Sequence, residues 1–362
     1  MPTGNNRHGL RNTAPTTWES KLRGLMIGLA LGDAIGSRRS DVPATGVLEG
    51  GAATQLAAWT AEGLLRSATR YGGYMLPSTE DVLRHAYQRW ALLRGGRPNP
   101  EWWYPVGDID EVFTRGWLID VPAMGEARGS SPATLDAITR GRPRKSAGCQ
   151  ALLRSLPIAS YSRREPSDAV EALACSAAGL THDDGNRNAA TGFAVLLAGA
   201  CLGADSFQRA FDHTIGEGVP AAVMPAIDLI VDRGMAEPCV PQLLERLAPD
   251  KTATSALAGG IYVALSFPDL DTVEEALEFA GWAPDGDSVA AVAGALLGAV
   301  HGYEAFPTPL VSRLELGWVM DTLARDLARQ TTENQAGEGW KGDGYGDDPI
   351  DPWWEDTKYP GV

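Results

Sequence analysis

Ala283-Pro-Asp-Gly-Asp-Ser-Val-Ala-Ala-Val-Ala-Gly-Ala-Leu-Leu-Gly-Ala-Val-His-Gly302 is the stretch that decides the fold of this chain. Beyond Ser288 it places Ala290, Ala291, Ala293, Gly294, Ala295, Gly298 and Ala299, so the helix it predicts carries little side-chain bulk. Helix axes approach only as closely as the intervening side chains allow, and a helix this thin belongs at the centre of a bundle. Asp285 and Asp287 stand just ahead of its first turn, where unsatisfied N–H groups and positive dipole collect. Two carboxylates one residue apart on rigid backbone suit a hard cation such as Mg²⁺. A helix-capping Asp/Ser pair beside a turn Asp is the other reading of the same letters.

Helical periodicity recurs on the N-terminal side. Thr16-Thr-Trp-Glu19 has the capping-box pattern and opens a helix through Leu22, Leu25, Met26 and Leu29 that stops near Gly36. Further helices are predicted over 54–68, 78–94, 168–178, 188–202, 207–215, 221–231, 241–247, 255–265, 272–280, 288–300 and 313–328, with no convincing strand-like alternation between them. The expectation is an all-α, compact single-domain helical bundle over residues 16–332, preceded by a loose polar arm, residues 1–15. Residues 97–106, with Trp102, Trp103 and three prolines, read as an irregular insertion.

From residue 333 the character changes. The tail 333–362 is rich in Gly and Pro, which excludes a helix. From Glu338 it sets seven acids against Lys341 and Lys358. Solvated disorder is one reading. Trp340, Tyr345, Trp353, Trp354 and Tyr359 supply the other: a segment that docks, on this bundle or on a protein partner.

With 362 residues, 44% hydrophobic and 21% charged, the chain is globular and buries a large core. A formal net charge of −15 argues against nucleic acid or an anionic membrane as partner. Cys149, Cys175, Cys201 and Cys239 show no CxxC spacing and read as buried thiols of a reducing compartment. The N-terminus has no apolar core of a signal peptide, and no run of apolar residues is long enough to span a membrane. A soluble cytoplasmic protein is expected.

Five stretches, in order, resemble the ADP-ribosylglycohydrolase family. Arg23-Gly-Leu-Met-Ile-Gly-Leu-Ala-Leu-Gly-Asp-Ala-Ile-Gly36 is similar to the family's opening helix. Thr54-Gln-Leu-Ala-Ala-Trp-Thr-Ala-Glu-Gly-Leu-Leu65 is similar to the helix after its first metal motif. Gly148-Cys-Gln-Ala-Leu-Leu-Arg-Ser-Leu-Pro157 resembles the glycine-rich loop that cradles ADP-ribose. Leu180-Thr-His-Asp-Asp184 resembles the Thr-His-Gly-Asp-Pro motif, and Asp285-Gly-Asp-Ser288 the second metal motif. The likeness spans about residues 18–327.

The resemblance implies the family's helical fold and a binuclear Mg²⁺ centre that polarises the distal ribose and activates attack at its anomeric carbon. By position it implies residual metal ligands at Asp285, Asp287, Ser288 and Thr54, and ligand-binding roles for Gly148, Arg154, His182 and Asp184. The departures are as specific. The first metal motif normally reads Thr/Ser-Asp-Asp-Thr, and here the place holds Gly51-Ala52-Ala53-Thr54. The family's acid/base glutamate falls on Ser40, which cannot titrate near neutrality, so no catalytic residue is retained. Gln150 and Ala151 stand where two glycines let a pyrophosphate approach the backbone.

The expected cofactor is therefore none, or at most one Mg²⁺, because hard cations want several anionic oxygens. Without two cations, Asp285 and Asp287 repel, and Arg38 or Arg39 is the nearest guanidinium that could offset them. Asp33 reads as a cap or an internal bond of the cleft, and His182 as a structural histidine partnered by Asp183 and Asp184. Three functions fit. The favoured one is a catalytically degenerate pseudo-enzyme that binds a protein or an ADP-ribose-like ligand. The alternatives are a divergent ADP-ribosyl-protein hydrolase with a reduced Mg²⁺ site, and a structural subunit that assembles through its tail.

Overall fold

The computed structural model describes residues 16–36, 38, 41–71, 79–99, 116–337 and 353–360. Among these residues there is no β-strand, only isolated bridges, and fourteen α-helices of at least six residues. They are α1 (Trp18–Ile35), α2 (Ala52–Tyr71), α3 (Thr79–Leu93), α4 (Pro132–Arg140), α5 (Gln150–Ser155), α6 (Ser167–Gly179) and α7 (Gly185–Gly203). Then follow α8 (Phe207–Glu217), α9 (Met224–Leu229), α10 (Pro241–Leu247), α11 (Ala253–Ser266), α12 (Val273–Ala280), α13 (Gly286–His301) and α14 (Gly317–Glu333). The all-α expectation holds.

The thin helix α13 lies at the centre, with every residue from 288 to 300 buried. It packs antiparallel on α1 through facing small residues. A Cβ placed on Gly24 would collide with the Gly298 carbonyl, one on Gly28 with Gly294, and one on Gly32 with Ala290. At these positions glycine is required by the approach of one backbone to the other. The chain path brings the C-terminus of α1 against the N-terminus of α13, where a Cβ on Gly286 would strike the Gly36 carbonyl. Helices α2, α7, α11, α12 and α14 pack around this pair.

Helix ends differ in detail from the sequence expectation. Thr17, one residue later than expected, caps α1 by accepting from Ser20 N at 3.1 Å. Glu19 does not close a capping box but pairs with Arg325 at 3.0 Å. Residues 117–163, unassigned from periodicity, contain α4, α5 and a 3-10 segment, Leu156–Arg163. Pro157 does not break that segment because it sits in its first turn, where no N–H is needed. The cysteines are free, yet Cys239 is exposed and Cys175 only partly covered, so the expectation of four buried thiols fails for those two.

Helix α14 runs to Glu333 and ends at Asn334 in the left-handed conformation. Within the tail, residues 353–360 fold back on the bundle. Tyr359 is wholly buried and donates to Asp326 Oδ2 at 2.5 Å, while Lys358 Nζ pairs with the same oxygen at 2.5 Å. Trp354 is buried and meets the Tyr359 ring edge-on, with 5.0 Å between centroids. Trp354–Lys358 forms a helical turn, contrary to the exclusion of helix from the tail, in a stretch free of Gly and Pro. Trp340, Tyr345 and most of the expected 97–106 insertion lie outside the described residues, as does the arm 1–15.

Candidate ligand cavity

The N-termini of α2 and α13 face a cavity of about 670 Å³. Asp33, Ala52, Gly148, Gln150, His182, Lys251, Asp285, Asp287 and Ser288 all line it. Ala53 is fully buried and is not part of the lining. Ser40 and Arg39 lie outside the described residues.

Asp33 is the centre of the α2 end. Its Oδ2 accepts from Gly51 N at 2.6 Å, Thr54 N at 3.0 Å and Thr54 Oγ1 at 2.6 Å. A carboxylate from α1 thus caps α2, satisfying N–H groups that the helix cannot satisfy itself. Thr54 itself is fully buried and is not part of the cavity lining. Burial raises the Asp33 pKa despite these bonds, and the nearby Asp287 charge adds to the rise.

Asp285 occupies the N-cap position of α13 but makes no side-chain capping bond. Its carboxylate instead meets the Cys149 thiol at 3.6 Å and Lys251 Nζ at 3.7 Å. Ser288 Oγ lies 3.1 Å from Cys149 Sγ. Burial pushes the Cys149 thiol up to about 12, so it serves as a neutral hydrogen-bonding group. Asp287 is also raised, first by burial and then by Asp285. Among the described residues, no three His, Cys, Asp or Glu side chains are grouped so as to hold a metal ion.

Isolated bridges carry the remaining walls to this place. Gly148 pairs with Thr252, which brings Lys251 beside Asp285, and Arg144 pairs with His182. His182 is 2% exposed, with Nδ1 at 2.8 Å from Thr181 Oγ1. Burial, and secondarily the Arg154 charge, lower its pKa to about 3, so it is neutral. Its partner is Thr181, not Asp183 or Asp184 as expected. Asp184 is absent from the cavity lining; it caps α7 and pairs with Arg187.

Arg154 also departs from its expected ligand-binding role. It is fully buried in α5 and donates to Thr134 Oγ1 at 3.0 Å, Ala177 O at 2.8 Å and Thr181 Oγ1 at 2.7 Å. Its guanidinium lies 4.2 Å from the Tyr87 ring centroid. Helical backbone at 150–155 turns this side chain inward, where a loop would have left it free. Gln150 does line the cavity, with Oε1 buried and without a hydrogen-bond partner among the described residues, whereas Ala151 packs inside.

Arg38 lines the cavity, but its Nε donates to Ala34 O at 3.2 Å and it makes no ion pair with Asp285 or Asp287. The cation beside Asp285 is Lys251, which sequence reasoning did not single out. Arg128 was likewise missed. It forms a two-pronged pair with Glu315 and reaches Glu49 at 3.4 Å, so its charge is met at the rim. No local pattern marks Lys251 or Arg128; both arrive through contacts distant in sequence.

The sequence profile of ADP-ribosylglycohydrolase matches residues 14–337. The chain belongs to the ADP-ribosylglycohydrolase family. A solved structure titled "ADP-ribosylglycohydrolase-related protein complex" superposes with a TM-score of 0.55 at 22% identity, covering 87% of this chain and 99% of that one. That likeness speaks to the fold. No curated protein matches the chain. No helix among the described residues is long and apolar enough to cross a membrane.

Proposed function

We propose that this chain is a catalytically degenerate family member that uses its cavity to bind a protein or an ADP-ribose-like ligand. One observation carries the reading. At the N-terminus of α2, where the family's first metal motif stands, Ala52 offers the cavity only a methyl group, Ala53 is buried away from it, and Asp33 closes the helix end. The donors left over suit a binuclear centre poorly: Thr54 is fully buried and does not line the cavity, and Ser288 Oγ lies against Cys149. Hard dications need several anionic oxygens converging on one point. Gln150 adds a side chain where a pyrophosphate would need bare backbone.

A divergent hydrolase with a single Mg²⁺ is the second reading. It is favoured by Asp285, whose carboxylate is free of capping duty and faces the cavity with Asp287. Titration calorimetry with ADP-ribose, with and without Mg²⁺, separates the two. The degenerate reading expects the same isotherm under both conditions. A Mg²⁺-dependent gain in affinity of about tenfold or more, abolished by Asp287→Ala, favours the hydrolase.

A further inference from the structure

A second cavity, of about 530 Å³, shares no lining residue with the first. Lys21 of α1 stands in its wall, only 8% exposed. No carboxylate among the described residues lies within ion-pair distance of its ammonium, which hydrogen-bonds the Ala204 carbonyl just past α7. A helix C-terminus welcomes a cation. That one carbonyl, however, takes a single donor of the three an ammonium carries. Burying an ammonium with so little compensation is costly, and burial draws its pKa down, with the Asp205 charge, beyond ion-pair distance, opposing the shift only in part.

Arg163 lines the same cavity, its guanidinium 5.3 Å from the Trp18 ring centroid and without a carboxylate partner among the described residues. Glu217, also in the wall, lies 3.6 Å from His213. Leu196 and Ala200, both partly exposed, supply apolar wall, and a Cβ on Gly203 would meet nothing within 4 Å. We infer that this cavity is a binding site for a small organic anion, its head group on Lys21 and Arg163 and its apolar body against Leu196 and Ala200. The head group's chemistry is that of a carboxylate or a phosphate monoester. The site stands independently of the function proposed for the first cavity.

The test is a titration of the full chain with hexanoate, phenyl phosphate and the uncharged hexanamide, read by calorimetry. One of the two anions should saturate a single site and the amide should not; which anion binds identifies the head group. Lys21→Met should weaken binding by about tenfold or more. Because that residue is buried, Arg163→Gln at the rim provides a second variant with the same expected direction. Asp287→Ala should leave the affinity unchanged, which separates this site from the first cavity. Saturation by neither anion, equal binding of the amide, or affinity that survives both Lys21→Met and Arg163→Gln would overturn the assignment.

Discussion

Asp33 caps α2, in keeping with its reading as a cap or internal bond, whereas Arg154 holds structure together at a position where the family resemblance implies ligand binding. Arg154 satisfies two threonine hydroxyls and a backbone carbonyl that no water reaches. Leaving buried polar groups unpaired costs roughly 1–3 kcal/mol each. Arg154→Ala should therefore destabilise the fold by about 3 kcal/mol or more, seen as a lowered denaturation midpoint. Histidines give the residue scale its pH dependence. Burial lowers both His85 and His182 from 6.5 to about 3. Between those values the unfolded chain binds the proton and the folded chain does not, so stability falls as pH drops through that window. Tm measured from neutral pH downward should fall less steeply in His85→Gln and His182→Gln than in the unaltered protein. An unchanged slope would mean these rings charge freely in the folded state.

At the scale of elements, the α1–α13 pair is the most sequence-legible part of the molecule. Gly24, Gly28 and Gly32 recur every four residues, as do Ala290, Gly294 and Gly298, and the spacing puts each set on one helix face. Gly28→Ala should cost several kcal/mol, since the added methyl meets backbone that cannot step aside. Gly216→Ala in α8, with nothing within 4 Å of its added methyl, should instead stabilise by about 0.5–1 kcal/mol. Urea midpoints of the two variants should move in opposite directions.

The candidate site was less legible for a physical reason. Asp285 and Asp287 declare themselves by spacing and helix position. Lys251 and Cys149 reach Asp285 only through the Gly148–Thr252 bridge, a pairing between segments about a hundred residues apart. The inward placement of Arg154 is not legible in the sequence, because the six-residue α5 leaves too little periodicity to mark a helix.

For the whole molecule, the tail closes a seam. Tyr359 and Trp354 are buried, and the Pro360 carbonyl accepts from Arg66 at 3.4 Å, above the buried ion network of Glu62, Arg66 and Arg89. Truncating a buried aromatic to alanine costs about 3–5 kcal/mol. Tyr359→Ala, and equally removal of residues 353–362, should lower Tm while leaving the chain's size on a column unchanged. A shift in size instead would move the tail's role toward assembly between copies.

On the function proposed above, the family fold is kept without the family's chemistry. Loss of a general acid or base removes on the order of 10²–10⁴ in rate. Loss of the metal carboxylates removes several kcal/mol more of transition-state stabilisation, though such effects are not additive. The most direct test is release of ADP-ribose from ADP-ribosyl-arginine and ADP-ribosyl-serine peptides by the unaltered protein, with Mg²⁺ or Mn²⁺ added. The account predicts no release above the uncatalysed background; sustained turnover that disappears in Asp287→Ala would contradict it.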